Sequence, residues 1–495
     1  MRSAGILLPV TSLPSPWGVG TMGRTARGFV DFLHRSGQSY WQILPICPTG
    51  YGNSPYQSFS SFAGNPYLID LDTLARSGLL EPGEYQTLDW GSDPEKVDYG
   101  LLYRNRYTVL RIAAKRYERR CPARLADFCR EQASWLEDYA LFMALKDRFG
   151  GAPWTEWPLP LRRREPQALA DARAQLEPEM RFWRCVQAIF FEQWEKLKTY
   201  ANRQGVQIIG DLPFYVSGDS ADVWADPGQF QLDENLQPIE VAGCPPDGFA
   251  AGGQLWGNPL FDWDRMKADG YAWWMRRIAF QLRIYDVLRI DHFRGFDSYY
   301  AIPYGAQDAR GGRWRPGPGI DFFKEVERQL GRQNIIAEDL GFLTPSVRTL
   351  LAQTGFPGMK VLELGFDSRD TGSGYLPHTY PRNCVVYTGT HDNDTVQGWM
   401  AHAPREDVAR ATAYLRLNEA EGYHWGMMRS AWGSVADLAI MQMQDLLGLG
   451  SEARINTPST MGDNWTWRCR PGVFTDQLAD TLRAETEQYG RLPET

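Results

Sequence analysis

Short apolar runs punctuate this chain, and each closes on polar or glycine-rich residues. They fall at 5–8, 40–45, 206–211, 287–291, 334–338, 359–364 and 384–388, with 438–443 a weaker eighth that reads equally as helix. Several are continuous rather than alternating, the pattern of parallel strands covered on both faces. Helical stretches separate them at 25–36, 183–203, 272–285, 322–330 and 345–352. Strand then helix, repeated about eight times, predicts a parallel α/β fold, and the (β/α)8 TIM barrel is its form at eight repeats.

The intervals are uneven. Roughly 160 residues separate the second and third strands, far more than a crossover helix needs. Within them 101–118, 131–149 and 167–195 read as amphipathic helix, with a basic hinge at 161–165, so a mainly helical insertion is expected over about 80–200. A second stretch, about 216–270, is rich in Gly, Pro, Asp and Trp with little periodicity. It reads as a loop-rich insertion after the third strand that forms part of a cleft. A barrel takes roughly 250 residues. The 495 residues are therefore read as one catalytic barrel over 1–495 with large insertions and no separate C-terminal β-domain.

Composition sharpens this picture only in places. Hydrophobic residues at 43% and charged ones at 23% describe a folded globular chain and exclude a mainly disordered one. The 19 Trp, 23 Tyr and 23 Phe are numerous for a loop-rich protein and fit a large binding surface. A net charge of −8 argues against nucleic acid as a partner. No window approaches the roughly 18 apolar residues of a membrane helix, and the apolar start at 6–8 is too short for a signal peptide. The seven cysteines include no Cys-x-x-Cys pair; reduced thiols and a cytoplasmic location are expected.

Three patterns read as decoys. Gly18-Val19-Gly20-Thr21-Met22-Gly23 matches a dinucleotide fingerprint, yet no acidic residue stands near position 43 and three prolines intrude before it. The glycine cluster at 311–319 reads as a flexible loop. Asp219 to Asp226 lack calcium-loop spacing and read as solvated.

The chemistry gathers at three strand ends. In Val287-Leu288-Arg289-Ile290-Asp291-His292 the side chains alternate, so Arg289 and Asp291 share one face and Leu288 and Ile290 the other. In a barrel the charged face is the interior, opening on the active-site rim. A buried Arg–Asp ion pair is the plainer reading, but such pairs are weak sources of stability. The run 334–337 leads straight into Glu338, while Asp339 points the other way, toward a structural role. The third run ends in Thr390-His391-Asp392-Asn393-Asp394. Retaining glycosyl transfer needs such a set: one carboxylate to attack the anomeric carbon, one buried carboxyl to protonate the leaving oxygen, and a further anion for the oxocarbenium-like charge.

These three elements resemble the signature regions of α-amylase-type barrels. Further segments narrow the resemblance to the 4-α-glucanotransferases (amylomaltases, or disproportionating enzymes) of glycoside hydrolase family 77. They are Gly5 to Pro14, Gly52-Asn53-Ser54-Pro55-Tyr56, Gly210-Asp211-Leu212-Pro213-Phe214-Tyr215-Val216, Pro245-Pro246-Asp247, Gln254-Leu255-Trp256-Gly257-Asn258-Pro259, Asn456-Thr457-Pro458 and Asn464-Trp465. The resemblance implies Asp291 as nucleophile, Glu338 as general acid/base and Asp392 as transition-state stabiliser. It implies sugar contacts at Arg289, His292 and His391, a stacking ring at Tyr56, and cleft positions at Asp211 and Trp256. Asp247 and Phe249 belong to a loop resembling one that arches over bound glucan, and Asp367 and Asn464 are further contacts. Cys244 and the Gly/Ala-rich run 248–253 depart from that loop's pattern.

The implied activity is transfer of α-1,4-glucan segments between maltooligosaccharides or to glucose. A hydrolase of the same mechanism is the alternative, and a non-catalytic glucan-binding barrel a further one. No metal or organic cofactor is expected, since the acids would be consumed as ligands. Oligomeric state leaves no trace in the sequence.

Overall fold

The computed structural model of the protein describes residues 2–50, 52–246, 252–341, 343–368, 373–460 and 462–494. Eight parallel strands run in the order β10-β11-β12-β1-β2-β3-β6-β9 and form a nearly closed TIM barrel. They are β1 (Ser3–Leu7), β2 (Tyr40–Gln42), β3 (Gln207–Leu212), β6 (Val287–Ile290), β9 (Ile335–Ala337), β10 (Gly358–Val361), β11 (Cys384–Tyr387) and β12 (Leu438–Gln442). Each expected apolar run holds one strand. The ambiguous eighth is a strand, because Leu438–Gln442 pairs in parallel with β1 on one side and β11 on the other. A segment buried between two partners satisfies its backbone across the sheet.

The seam between β9 and β10 is closed by single contacts. The Ala337 N–H donates to the Pro357 carbonyl at 2.9 Å, and the Asp339 carboxylate accepts the Met359 N–H at 2.6 Å. Gly358 is required here: a Cβ at that position would lie 2.8 Å from the Asp339 oxygens.

The interval between β2 and β3 carries the helices Tyr99–Arg120, Leu136–Arg148 and Pro166–Arg203. The last is one helix of 38 residues with Pro178 inside it, where two overlapping stretches were expected. Its carboxamides fasten the segment that follows β2. Gln187 accepts the Gly64 N–H at 2.7 Å and donates to the Gly64 carbonyl at 2.9 Å. Gln193 holds Asp70 the same way, at 2.7 and 3.2 Å.

The interval 216–270 is less irregular than its composition implies. It supplies β4 (Glu240–Cys244) and β5 (Gln254–Pro259), which join β7 (Ser298–Pro303) and β8 (Arg313–Pro316) in an antiparallel sheet of order β5-β4-β7-β8. Two local readings are corrected by this packing. The glycine cluster at 311–319 contains strand β8 rather than a flexible loop, and Gly317 lies where a Cβ would sit 2.4 Å from the Phe296 carbonyl. Residues 219–226 are not a solvated loop: Ala221–Ala225 is a helix, Asp222 is buried and accepts the Ser61 N–H at 2.7 Å, and the part-exposed Asp219 pairs with Lys146 at 2.6 Å. Their donors lie 70 or more residues away in places, so local sequence carries no sign of them.

The Gly18–Gly23 segment does precede a helix, Arg24–Arg35, but the space at its N-terminus is filled. A Cβ on Gly23 would lie 2.2 Å from the Asp70 carboxylate, which also accepts the Thr21 hydroxyl at 2.9 Å. An acid in that place repels phosphate.

Candidate active site

The alternation within β6 turns Leu288 and Ile290 into the surrounding apolar layer, both fully buried, and Arg289 into the barrel lumen. There Arg289 is 3% exposed, and its guanidinium is the hub of the site. Its Nη1 bonds both oxygens of Asp211, on the register-paired residue of β3, each at 2.7 Å. The same nitrogen reaches Asp291 Oδ1 at 3.0 Å, and Nε faces the Met359 sulfur at 3.4 Å. Asp211 in turn accepts the Tyr56 hydroxyl at 2.8 Å. Burial raises the Asp211 carboxyl and Arg289 opposes that shift, while the two nearby carboxylates hold Arg289 firmly protonated.

Asp291 stands just beyond β6, with its N–H still on the Leu212 carbonyl at 3.0 Å. Its side chain is 28% exposed, so it meets the open end of the barrel. The chain then turns sharply: His292 has φ 48° and ψ 48°, a left-handed conformation costly for a residue with a Cβ. That turn aims the His292 N–H at Glu338 Oε2, 2.7 Å away, while Oε1 accepts the Leu340 N–H at 2.8 Å. The Phe293 N–H meets the Glu338 carbonyl at 3.0 Å. Glu338 and Asp291, 47 positions apart in the chain, therefore sit side by side.

Desolvation first, and the Asp291 charge second, push the Glu338 carboxyl up to about 8, against the pull of Arg289 and the two N–H donors. A carboxylic acid that keeps its proton at neutral pH has been made by burial beside a second carboxylate. Burial pushes His292 down to about 4, which leaves it neutral. Its Nε2 is buried and has no hydrogen-bond partner among the described residues. Trp256 stands edge-on to its ring with centroids 5.0 Å apart at 90°.

The third acid is held from outside the barrel. Asn456 Nδ2 donates to Asp392 Oδ1 at 2.6 Å, and Arg454 Nη2 donates to the Asp392 carbonyl at 2.6 Å. His391 Nε2 lies 3.4 Å from Asp392 Oδ2. The His391 ring stacks on Tyr56 with centroids 5.1 Å apart at 13°, and Trp465 leans on both. Tyr56, Asp211, Arg289, Asp291, His391 and Asp392 thus form one connected group, joined through His292 to Glu338 and Trp256.

Two further expected residues lie on other segments of the chain. Asp367 is buried at the end of the short helix Glu363–Phe366, on the same end of the barrel after β10. The Asn464 carboxamide is committed to its own loop, accepting the Thr457 N–H at 2.9 Å and donating to the Thr460 carbonyl at 3.1 Å. Asp247 and Phe249 lie outside the described residues. Asn456 belongs to the Asn456-Thr457-Pro458 motif, whereas nothing local to Arg454 in the sequence signals its reach. Among the described residues no group of three or more His, Cys, Asp or Glu could hold a metal ion.

Comparison with known proteins decides the family. The 4-α-glucanotransferase model of glycoside hydrolase family 77 matches residues 8–475. The chain belongs to that family. It is 47% identical to the 4-α-glucanotransferase of Thermus thermophilus over 99% of each chain. With that of Clostridium butyricum it shares 46% identity over 97% of this chain and 99% of the other. Its fold superposes on amylomaltase from Streptococcus agalactiae in complex with acarbose with a TM-score of 0.97, at 43% identity and full coverage of both. The protein is accordingly an enzyme of the 4-α-glucanotransferase type, acting on α-glucans. In this family member, no helix among the described residues is long and apolar enough to cross a membrane.

Proposed function

We propose that the enzyme cleaves α-1,4-glucan and passes the released segment to a second sugar by double displacement, with Asp291, Glu338 and Asp392 as its three working acids. Asp291 attacks the anomeric carbon while Glu338 gives its proton to the departing 4-oxygen, so one C–O bond forms as the other breaks. Asp392 faces the positive charge that develops at the ring oxygen. Glu338, now ionised, then takes the proton of the acceptor's 4-hydroxyl, which displaces Asp291 and restores the α-linkage. Glucose or a maltooligosaccharide serves as acceptor.

The observation that supports this reading most is the split between two adjacent carboxyls. Glu338 is pushed up to about 8, while Asp291 beside it bonds a fixed guanidinium at 3.0 Å. Tyr56, Asp211, Trp256, Arg289, His292 and His391 are assigned to sugar binding. The buried Nε2 of His292, which has no hydrogen-bond partner among the described residues, suits a hydroxyl of the bound sugar. Asp247, Phe249, Asp367 and Asn464 are retained as glucan contacts on the sequence resemblance. No metal, organic cofactor, nucleic acid or membrane enters the reading. A cytoplasmic setting is supported by scattered cysteines with no Cys-x-x-Cys pair.

Maltotriose incubation tests the reading, with products followed over time. Glucose plus a ladder of longer maltooligosaccharides is expected; shortening alone would replace transfer with hydrolysis. Denaturing Glu338→Gln after reaction with α-maltosyl fluoride should leave two hexoses on the peptide containing Asp291. Label on another residue would overturn the assignment of the nucleophile.

A further inference from the structure

Asp445 lies on the short helix Met443–Leu446 that leaves β12, and no step of the reaction above uses it. It is fully buried. Burial sets the cost of an ionised carboxyl here; hydrogen bonds from Thr388 and Val396 offset part of it, while Asp394 adds like charge and Glu363 stands close enough to interact.

Its two hydrogen bonds point to another role. Asp445 Oδ2 accepts the Thr388 hydroxyl at 2.6 Å, and Oδ1 accepts the Val396 N–H at 2.7 Å. Thr388 follows β11 directly, and Val396 opens the helix Val396–His402. Between them runs the segment 389–395, which carries His391 and Asp392. One carboxylate therefore ties together the entry and the exit of the loop that presents the third acid. Inside the loop, Asn393 Oδ1 accepts the Thr390 N–H at 3.0 Å and its hydroxyl at 2.9 Å. Gln442 donates to the Asp394 carbonyl at 3.3 Å.

We propose that Asp445 is a positioning residue for Asp392, fixing where its carboxylate stands against the sugar by holding Thr388 and Val396 together. This rests on the reading of Asp392 as the acid that stabilises the transition state. A displacement of about 1 Å at such a group is worth about 10²-fold in rate.

The test compares Asp445→Ala, Asp445→Asn and Thr388→Val with Asp392→Asn and Glu338→Gln, on maltotriose and on α-maltosyl fluoride, whose departure needs no protonation. Asp445→Ala should lower kcat by about 10- to 100-fold and leave KM nearly unchanged. The loss should persist on the fluoride, where Glu338→Gln recovers its first step. Asp445→Asn should retain most of kcat, because its carboxamide oxygen can accept from Val396 while its NH2 donates to the Thr388 oxygen. Thr388→Val, which removes one bond without emptying the site, should follow Asp445→Ala in direction and decides the matter if that variant does not fold. Full kcat in folded Asp445→Ala and Thr388→Val, with only a lower melting temperature, would overturn the proposal. So would a loss confined to KM. If Asp392→Asn is itself fully active, the underlying reading of Asp392 fails instead.

Discussion

At the residue scale, the site works by giving similar acids different surroundings. Asp211 and Arg289 form a pair that is almost fully buried in the lumen. Removing the Asp211 charge leaves the buried Arg289 guanidinium with the part-exposed Asp291 as its remaining ion-pair partner. Asp211→Asn should therefore cost about 3–5 kcal/mol in urea unfolding, and a cost below 1 kcal/mol would contradict the ion pair as drawn. Glu338 gives a pH signature with a definite sign. Its folded value of about 8 lies above the unfolded one, near 4.3. Between those limits the folded state binds the extra proton, so this group's contribution to stability is full below the lower limit and is lost as pH rises toward 8. Glu338→Gln should thus raise the melting temperature relative to the parent more at pH 8 than at pH 5. Equal shifts at both would refute the raised carboxyl. His292 acts at the other end: with a folded value of about 4, it withdraws stability as pH falls from about 6.5.

At the element scale, the strands show what an apolar run can and cannot reveal. The runs at 206–211 and 384–388 hold β3 and β11, because a strand covered on both faces has to be apolar along its length. The run at 438–443 was ambiguous, since its composition suits a helix as well, and only its two neighbours in the sheet make it β12. Strands β4, β5, β7 and β8 left no clear trace. β5 and β8 are exposed or half-exposed over most of their length, and β4 and β7, although mostly buried, are short and bordered by Gly, Pro and charged residues. The seam between β9 and β10 is the place where the ladder is thinnest. Asp339→Ala would leave the Met359 N–H buried without its acceptor. It should cost about 1–3 kcal/mol, read as a lower urea midpoint at unchanged slope.

At the scale of the whole molecule, the inserted helices are part of the barrel's support. Gln187 and Gln193 pin the backbone of Gly64 and Asp70 downstream of Tyr56, and Trp194 Nε1 donates to the Ile284 carbonyl at 3.0 Å, just ahead of β6. We propose that the chain is one cooperative unit. Calorimetry should show a single transition, and limited proteolysis should not release a stable fragment spanning 80–200; two transitions would separate the insertion as a domain.

The amino-acid sequence determined the strand–helix rhythm, the alternation that sends Arg289 and Asp291 to one face, and the three acids at strand ends. Those features are local, set by the period of side chains along a strand and by polar residues where it stops. The tertiary structure decided which groups meet. The 46 positions between His292 and Glu338, or the 64 between Asp392 and Asn456, collapse to a hydrogen bond only when parallel strands bring their ends to one rim. Proton affinity followed the same rule: Glu338 holds its proton because of what is packed around it, and no property of its neighbours in the chain could have set that.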